Sequence, residues 1–194
     1  MRISTLAPLA QSQDARTRIL DAAEALVRAE AVSGLTLDAA ARQAGVSKGG
    51  LLYHFSSKEA LLIGLLNRLA SFVAEDFETH LASQPAGPGR VARTMLTWGF
   101  GLAPEDMNER CDRAAAVFLA AFHHDRALLD PIRAVVANIR RAADADGLPP
   151  GHGGAIMAAG DGLFMARLFD LYSPTQAEMT DMHTALSGLI GAPA

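Results

Sequence analysis

Apolar side chains recur at three- and four-residue spacing along most of this 194-residue chain, and no stretch reads as a strand. That periodicity restricts the chain to helix packed on helix. Residues 14–31 set Ile19, Ala22, Ala23, Leu26 and Val27 on one stripe, with Arg18, Asp21, Glu24 and Arg28 elsewhere. The pattern restarts over 37–44, 47–53, 56–81, 89–101, 102–124, 130–144, 155–172 and 175–190. Turn chemistry marks the joints: Gly34, the AGV step at 44–46, SQPAGPG at 83–89, LAPED at 102–106 and DADGLPPGHGG at 144–154. Ser56 with Glu59, and Thr175 with Glu178, have the spacing of a capping box. Asp130 followed by Pro131 reads as an N-cap and first-turn pair. The expected fold class is all-α.

Composition decides what such a protein can touch. Half of the residues are hydrophobic and a fifth are charged, enough for a packed core. A net charge of −4 excludes a uniformly basic coat for nucleic acid. The charge is uneven, however. Residues 1–60 hold seven Lys/Arg against six Asp/Glu, and residues 61–194 hold ten against fifteen. A near-neutral head with clustered cations can still meet a polyanion, while the acidic remainder stays away from it. Cys111 is the single cysteine, so an internal disulfide and a cysteine-based zinc site are both ruled out. The opening MRISTLAPLAQSQ is too short and broken in its apolar part for a secretory signal, and residues 1–12 read as a flexible arm. No apolar run approaches the ~18 residues of a membrane span. The expected location is cytoplasmic, with no membrane partner.

The densest information lies in GVSKGGLLYHFSSKEAL, residues 45–61, which holds both lysines of the chain, Lys48 and Lys58. Three short helices followed by a long one, with a glycine turn between the second and third, make a helix-turn-helix pattern. Ala40, Ala41 and Ala44 are small enough for the second helix to cross closely over the third. Gly45 permits the positive φ of the turn. The third helix starts Ser47, Lys48, Gly49, Gly50, and glycine there weakens the helix while allowing close approach of its backbone to another surface. Thr36 and Ser47 offer hydroxyls at helix starts, and Tyr53 and His54 lie at the far end of the third helix. Lys58 stands in the first turn of the next helix, where the helix dipole disfavours a cation unless an anion sits beside it. Two readings fit the lysines. They are two contact points on one polyanion, or ordinary exposed lysines in an arginine-biased chain.

The stretch GLTLDAAARQAGVSKGGLLYHFSSKEALL at 34–62, with RTRILDAAEALV at 16–27, resembles the DNA-binding head of the TetR family of bacterial transcriptional regulators. The resemblance implies an N-terminal three-helix head, residues 13–60, and a C-terminal helical ligand-binding and dimerisation domain, residues 61–194. It implies that Ser47, Lys48 and Gly49 face the major groove of double-stranded DNA. Tyr53, His54 and Lys58 would then hold phosphates with help from Thr36, while Leu51 and Phe55 are core. It also implies a homodimer that presents two such helices to a near-palindromic operator.

Past residue 61 the sequence is less specific. AIMAAGDGLFMARLFDLYSPTQAEM, 155–179, is similar to the family's late helix at the dimer interface. Ala159, Gly162, Leu163 and Ala166, with Leu186 and Leu189 of the last helix, are the candidate interface residues; completing the chain's own core is the other use for them. Met95, Trp98, Phe118, Phe122 and Met165 are large, soft groups that suit an adaptable apolar pocket and equally an ordinary core. Such a lining favours a hydrophobic or amphipathic small-molecule effector. Asp161 is a charge in an otherwise apolar helix, able to pair with Arg167 or to meet a polar ligand group. His123, His124 and Asp125 do not converge, because adjacent helical residues point about 100° apart. No metal, no cofactor and no catalytic residue is expected, since G-x-S-x-G, H-E-x-x-H and P-loop patterns are absent from the sequence. The expected function is a ligand-released repressor that is not an enzyme. The competing expectation is a DNA-bound factor that recruits a protein and has no effector.

Overall fold

The computed structural model describes residues 7–100, Ala114, Val117 and 125–191. All regular structure among them is helical. The helices are α1 (Ala7–Gly34), α2 (Leu37–Ala44), α3 (Lys48–His54), α4 (Lys58–Ser83) and α5 (Arg90–Phe100). A 3₁₀ turn (Arg126–Leu129) runs directly into α6 (Asp130–Asp144), followed by α7 (His152–Leu168) and α8 (Gln176–Ser187). The helix expected over 102–124, with Cys111, Phe118, Phe122, His123 and His124, falls outside the described residues except for Ala114 and Val117, which are helical and buried. The chain divides into two compact units within α4. One unit runs to Leu69 and also takes Arg113–Asp130; the other holds Ala70–Asp112 and Pro131 onward. The sequence reading ended the head at residue 60.

Three local expectations are corrected. The arm expected over 1–12 overlaps α1, which already begins at Ala7. Pro8 is compatible with this, since a first-turn residue has no intrahelical acceptor for the N–H that proline lacks. Ser57, not Ser56, caps α4, and its hydroxyl accepts the N–H of Ala60 at 3.0 Å. Glu59 therefore falls at the second helical position and closes no capping box. Asp130 is already helical, and the capping carboxylate at this start is Asp125, which accepts the N–H of Ala127 at 2.9 Å. The Thr175–Glu178 capping box on α8 is complete in both directions.

The first unit is organised around α2. Its inner face is Ala40, Ala41 and Ala44, all buried, packed with Ile19, Ala23 and Val27 of α1 and with Leu51 of α3 in the core. Gly45 then adopts φ +65°. Its N–H bonds to Arg42 O at 3.3 Å and that of Val46 to Ala41 O at 3.0 Å, the paired closure of a Schellman motif. Those two bonds fix where the chain leaves α2 and so where α3 begins. Phe55 is buried just after α3, beneath Arg16, whose guanidinium lies 5.3 Å from the ring centroid. Leu61, Leu62, Leu65 and Leu66 of α4 complete the core. Arg68 of α4 ties back to α1 through Asp21, Glu24 and the carbonyl of Leu20.

The second unit packs Phe77 of α4 with Met95, Leu96 and Phe100 of α5, Ile139 of α6, Ile156 and Leu163 of α7, and Met179 of α8. Asp146, in the loop after α6, takes the otherwise open N–H groups of Val91 and Ala92 at 3.0 and 2.9 Å and thereby caps α5 from a distance in sequence. Trp98 meets Phe77 edge to face at 5.6 Å and donates its indole N–H to Asp76 at 2.6 Å.

Close packing in the first unit makes a prediction. A Cβ added at Gly64 would stand 2.6 Å from the Phe55 ring and 3.1 Å from Leu20 Cδ2. Gly64→Ala is expected to destabilise the protein by about 1–3 kcal/mol through overpacking, read as a lower midpoint in chemical denaturation; an unchanged midpoint would contradict this packing.

Candidate nucleic-acid interface

The surface in question is built outward from α3. Leu51 is fully buried and Phe55 nearly so. That fixes the helix's rotation and leaves Lys48, Gly49, Leu52 and Tyr53 exposed. At 100° per residue these four positions share one contiguous face. Ser47 caps the helix, its hydroxyl accepting the N–H of Gly50 at 3.0 Å. Thr36 does the same for α2 by accepting the N–H of Ala39 at 3.0 Å. Both hydroxyls keep an O–H to donate, and both residues are exposed. Tyr53 is 82% exposed and meets the His54 ring edge to face at 5.1 Å. Lys58 is the first residue of α4, half-buried beside the Ser57 cap.

The structure thus gathers Ser47, Lys48, Gly49, Tyr53 and His54 on and around one seven-residue helix. Thr36 and Lys58 lie at the N-termini of the helices before and after it. Two features of this face were not anticipated. Lys48 Nζ is held by both carboxylate oxygens of Asp38, at 2.9 and 3.2 Å, so the cation at the start of α3 is partnered from the first turn of α2. Asp38 stands ten residues upstream, and only the angle between α2 and α3 brings it near. The second feature is Leu52, an apolar side chain left 39% exposed among polar neighbours. Helical spacing from Leu51 and Phe55 was the available signal for its orientation.

The other sequence-derived candidates are dispersed. Met95 is buried in the core of the second unit and Trp98 packs against that core, whereas Met165 is 45% exposed. Phe118 and Phe122 lie outside the described residues. Leu163 is buried, Ala159, Leu186 and Leu189 pack against the same core, Ala166 is half-buried and Gly162 is exposed. The exposed stripe of α7 is instead Ala155, Ala158, Asp161, Gly162 and Met165, within an arc of about 120°, with Phe169 exposed just past the helix end. Asp161 does not pair with Arg167. Partial desolvation pushes its carboxyl above the usual carboxylate range, and Arg140 partly offsets that. Among the described residues no group of three His, Cys, Asp or Glu is placed to hold a metal ion, and no helix is long and apolar enough to cross a membrane.

Two family profiles match the chain. Residues 19–65 match the family profile described as bacterial regulatory proteins, tetR family, and residues 89–191 match the tetracyclin repressor-like, C-terminal domain. The HTH-type transcriptional regulator SrpR of Pseudomonas putida is 42% identical over 57 residues, which cover 29% of this chain and 27% of that protein. The HTH-type transcriptional regulator EthR of Mycolicibacterium smegmatis (strain ATCC 700084 / mc(2)155) is 31% identical over 80 residues, 41% of this chain and 37% of that one. The matched stretches thus span well under half of these relatives' length, 27% and 37%. Solved structures match over more of the chain. A TetR-family member from Streptomyces coelicolor A3 superposes with a TM-score of 0.65 at 26% identity, covering 89% of this chain and 97% of that one. The multidrug binding protein EbrR complexed with imidazole gives 0.60 at 25% identity, with 92% and 96% covered.

Gly49 separates contact from folding. A Cβ built there meets nothing within 4 Å. Gly49→Ala is therefore expected to leave stability unchanged or raise it by no more than about 1 kcal/mol, while weakening duplex binding in a gel-shift titration. Unaltered binding would remove Gly49 from the interface.

Proposed function

The chain belongs to the TetR family of bacterial transcriptional regulators, whose members are non-enzymatic DNA-binding proteins, and from that premise we propose that it is a ligand-released repressor acting as a homodimer. The observation that carries the DNA-binding part is the fixed rotation of α3: Leu51 buried, with Lys48, Gly49 and Tyr53 turned outward between the capped starts of α2 and α4. A helix presented this way suits the major groove, and the hydroxyls of Thr36, Ser47 and Tyr53, the His54 ring and Lys58 suit phosphates on either side. Charge supports the arrangement, because the acidic excess lies beyond residue 60. One head reads few base pairs. Two copies related by a two-fold axis read half-sites about 34 Å apart on a near-palindromic operator.

The homodimer reading draws on α7. Its exposed stripe is apolar except for Asp161 at one edge, and its smallest members, Ala155, Ala158 and Gly162, let a second helix approach closely. The effector reading draws on the second unit's aromatic and methionine content and on EbrR, a similar protein described as multidrug binding. A hydrophobic or amphipathic effector held in that unit would act through α4, which contributes residues to both units. It releases the operator only if it binds the DNA-free state more tightly, and the operator must then weaken effector binding by the same factor. A protein of this kind works in the cytoplasm, where its DNA is.

Selection of bound sequences from random duplex DNA tests the reading: a near-palindromic consensus is expected, and recovery of unselected sequence would oppose it. Lys58→Ala should weaken binding to operator and random duplex alike and lower the salt slope by about 1. Lys48→Ala should instead alter the recovered sequence, and equal losses for both variants on both DNAs would contradict that division. Gly162→Glu adds a charge at a position where a built Cβ meets no packed neighbour within 4 Å. It should leave the protomer folded and shift the protein to monomer in sedimentation; a retained dimer would place the interface elsewhere.

A further inference from the structure

We propose that Leu52 is a specificity-determining residue that reads thymine, its isobutyl group meeting the 5-methyl group in the major groove. The inference rests on the DNA-binding reading above and adds to it a base preference.

Around α3 the outward positions follow in the angular order 48, 52, 49, 53. Leu52 thus sits between Lys48 and Gly49, inside the contact face and not at its edge. Gly49 carries no side chain, and nothing lies within 4 Å of a Cβ built there. The helix surface next to Leu52 is therefore bare backbone, and the isobutyl group is the apolar projection of that surface. The core requirement of α3 is met without it, because Leu51 is fully buried and Phe55 nearly so, while Leu52 remains 39% exposed.

Chemistry then selects the base. Leucine has neither donor nor acceptor, so it cannot satisfy the N4 amino group of cytosine or the N6 amino group of adenine. Thymine alone offers a methyl group at the floor of the major groove. A leucine pressed onto any other base edge leaves polar groups dry and unpaired, which is unfavourable. The polar neighbours serve other targets: Lys48, steadied by Asp38 at 2.9 Å, suits a guanine edge or a phosphate, and Tyr53, 82% exposed, carries a hydroxyl that suits a phosphate. The face therefore has one apolar reader set among polar ones.

The test uses the full-length protein and the duplex it selects from random sequence. Each thymine of that duplex is replaced in turn by uracil, which removes only the methyl group. Wild-type binding is expected to fall about fourfold at one position or more of each half-site, and Leu52→Ala is expected to be insensitive to the same replacement. Thermal melting of Leu52→Ala monitors its folding, and the uracil series on wild type needs no variant. Uracil that is neutral at every position would overturn the proposal, as would equal sensitivity in Leu52→Ala; either leaves DNA binding intact. Failure of the wild type to select any sequence would overturn the DNA-binding reading itself, and this inference with it.

Discussion

The orientation of α3 depends on how α2 ends. Gly45 at φ +65° lets two backbone N–H groups close on Ala41 and Arg42, and the chain is turned within two residues. The same carbonyls would otherwise be open at the helix end. A residue with a Cβ has room at this position, since nothing lies within 4 Å, but it is strained by the left-handed backbone. The alanines of α2 supply the other half of the constraint. Ala40, Ala41 and Ala44 are small and buried, so α2 can sit close to its neighbours while Leu51 enters the core. With exit point and depth fixed, the residues of α3 that face outward are no longer adjustable.

That constraint explains how an acidic protein can carry a DNA-facing surface. Net charge governs long-range approach, but contact is made by few groups in fixed positions. In the proposed interface they are hydroxyls that also cap helices, a tyrosine–histidine pair, a glycine that bares the backbone and two lysines. Asp38 introduces a carboxylate into this set. Its bond to Lys48 is exposed on both sides and so adds little to stability. Its effect is to hold one ammonium group near the start of α3, where the helix dipole would otherwise repel it.

Much of this was legible in the sequence because helices announce themselves locally. Periodicity, the glycine turn and the Ser47 cap are each decided within a few residues, and α2 and α3 emerged nearly as read. The cap of α4 was misplaced by one residue because Glu59 gives Ser56, and not Ser57, the capping-box spacing; only the bond from Ala60 to the Ser57 hydroxyl shows which serine is used. Asp38 could not be found, since its link to Lys48 depends on an interhelical angle. In the second unit periodicity was a poorer guide. α7 is apolar on nearly every side, so sequence alone does not say which stripe faces the core. Leu163 proved to be core, whereas Met165 lies on the exposed stripe with Gly162. Asp146, which caps α5 from beyond α6, is again a tertiary contact without a local signature.

The central claim is that the outward face of α3 is the surface that meets DNA, and its most direct test is physical proximity. A photoreactive residue placed in turn at positions 49, 52 and 53 of α3, and at exposed Val136 of α6, would be irradiated with bound duplex. The account predicts covalent DNA adducts from the three α3 positions and none from position 136. Adducts from position 136 with none from α3 would contradict it.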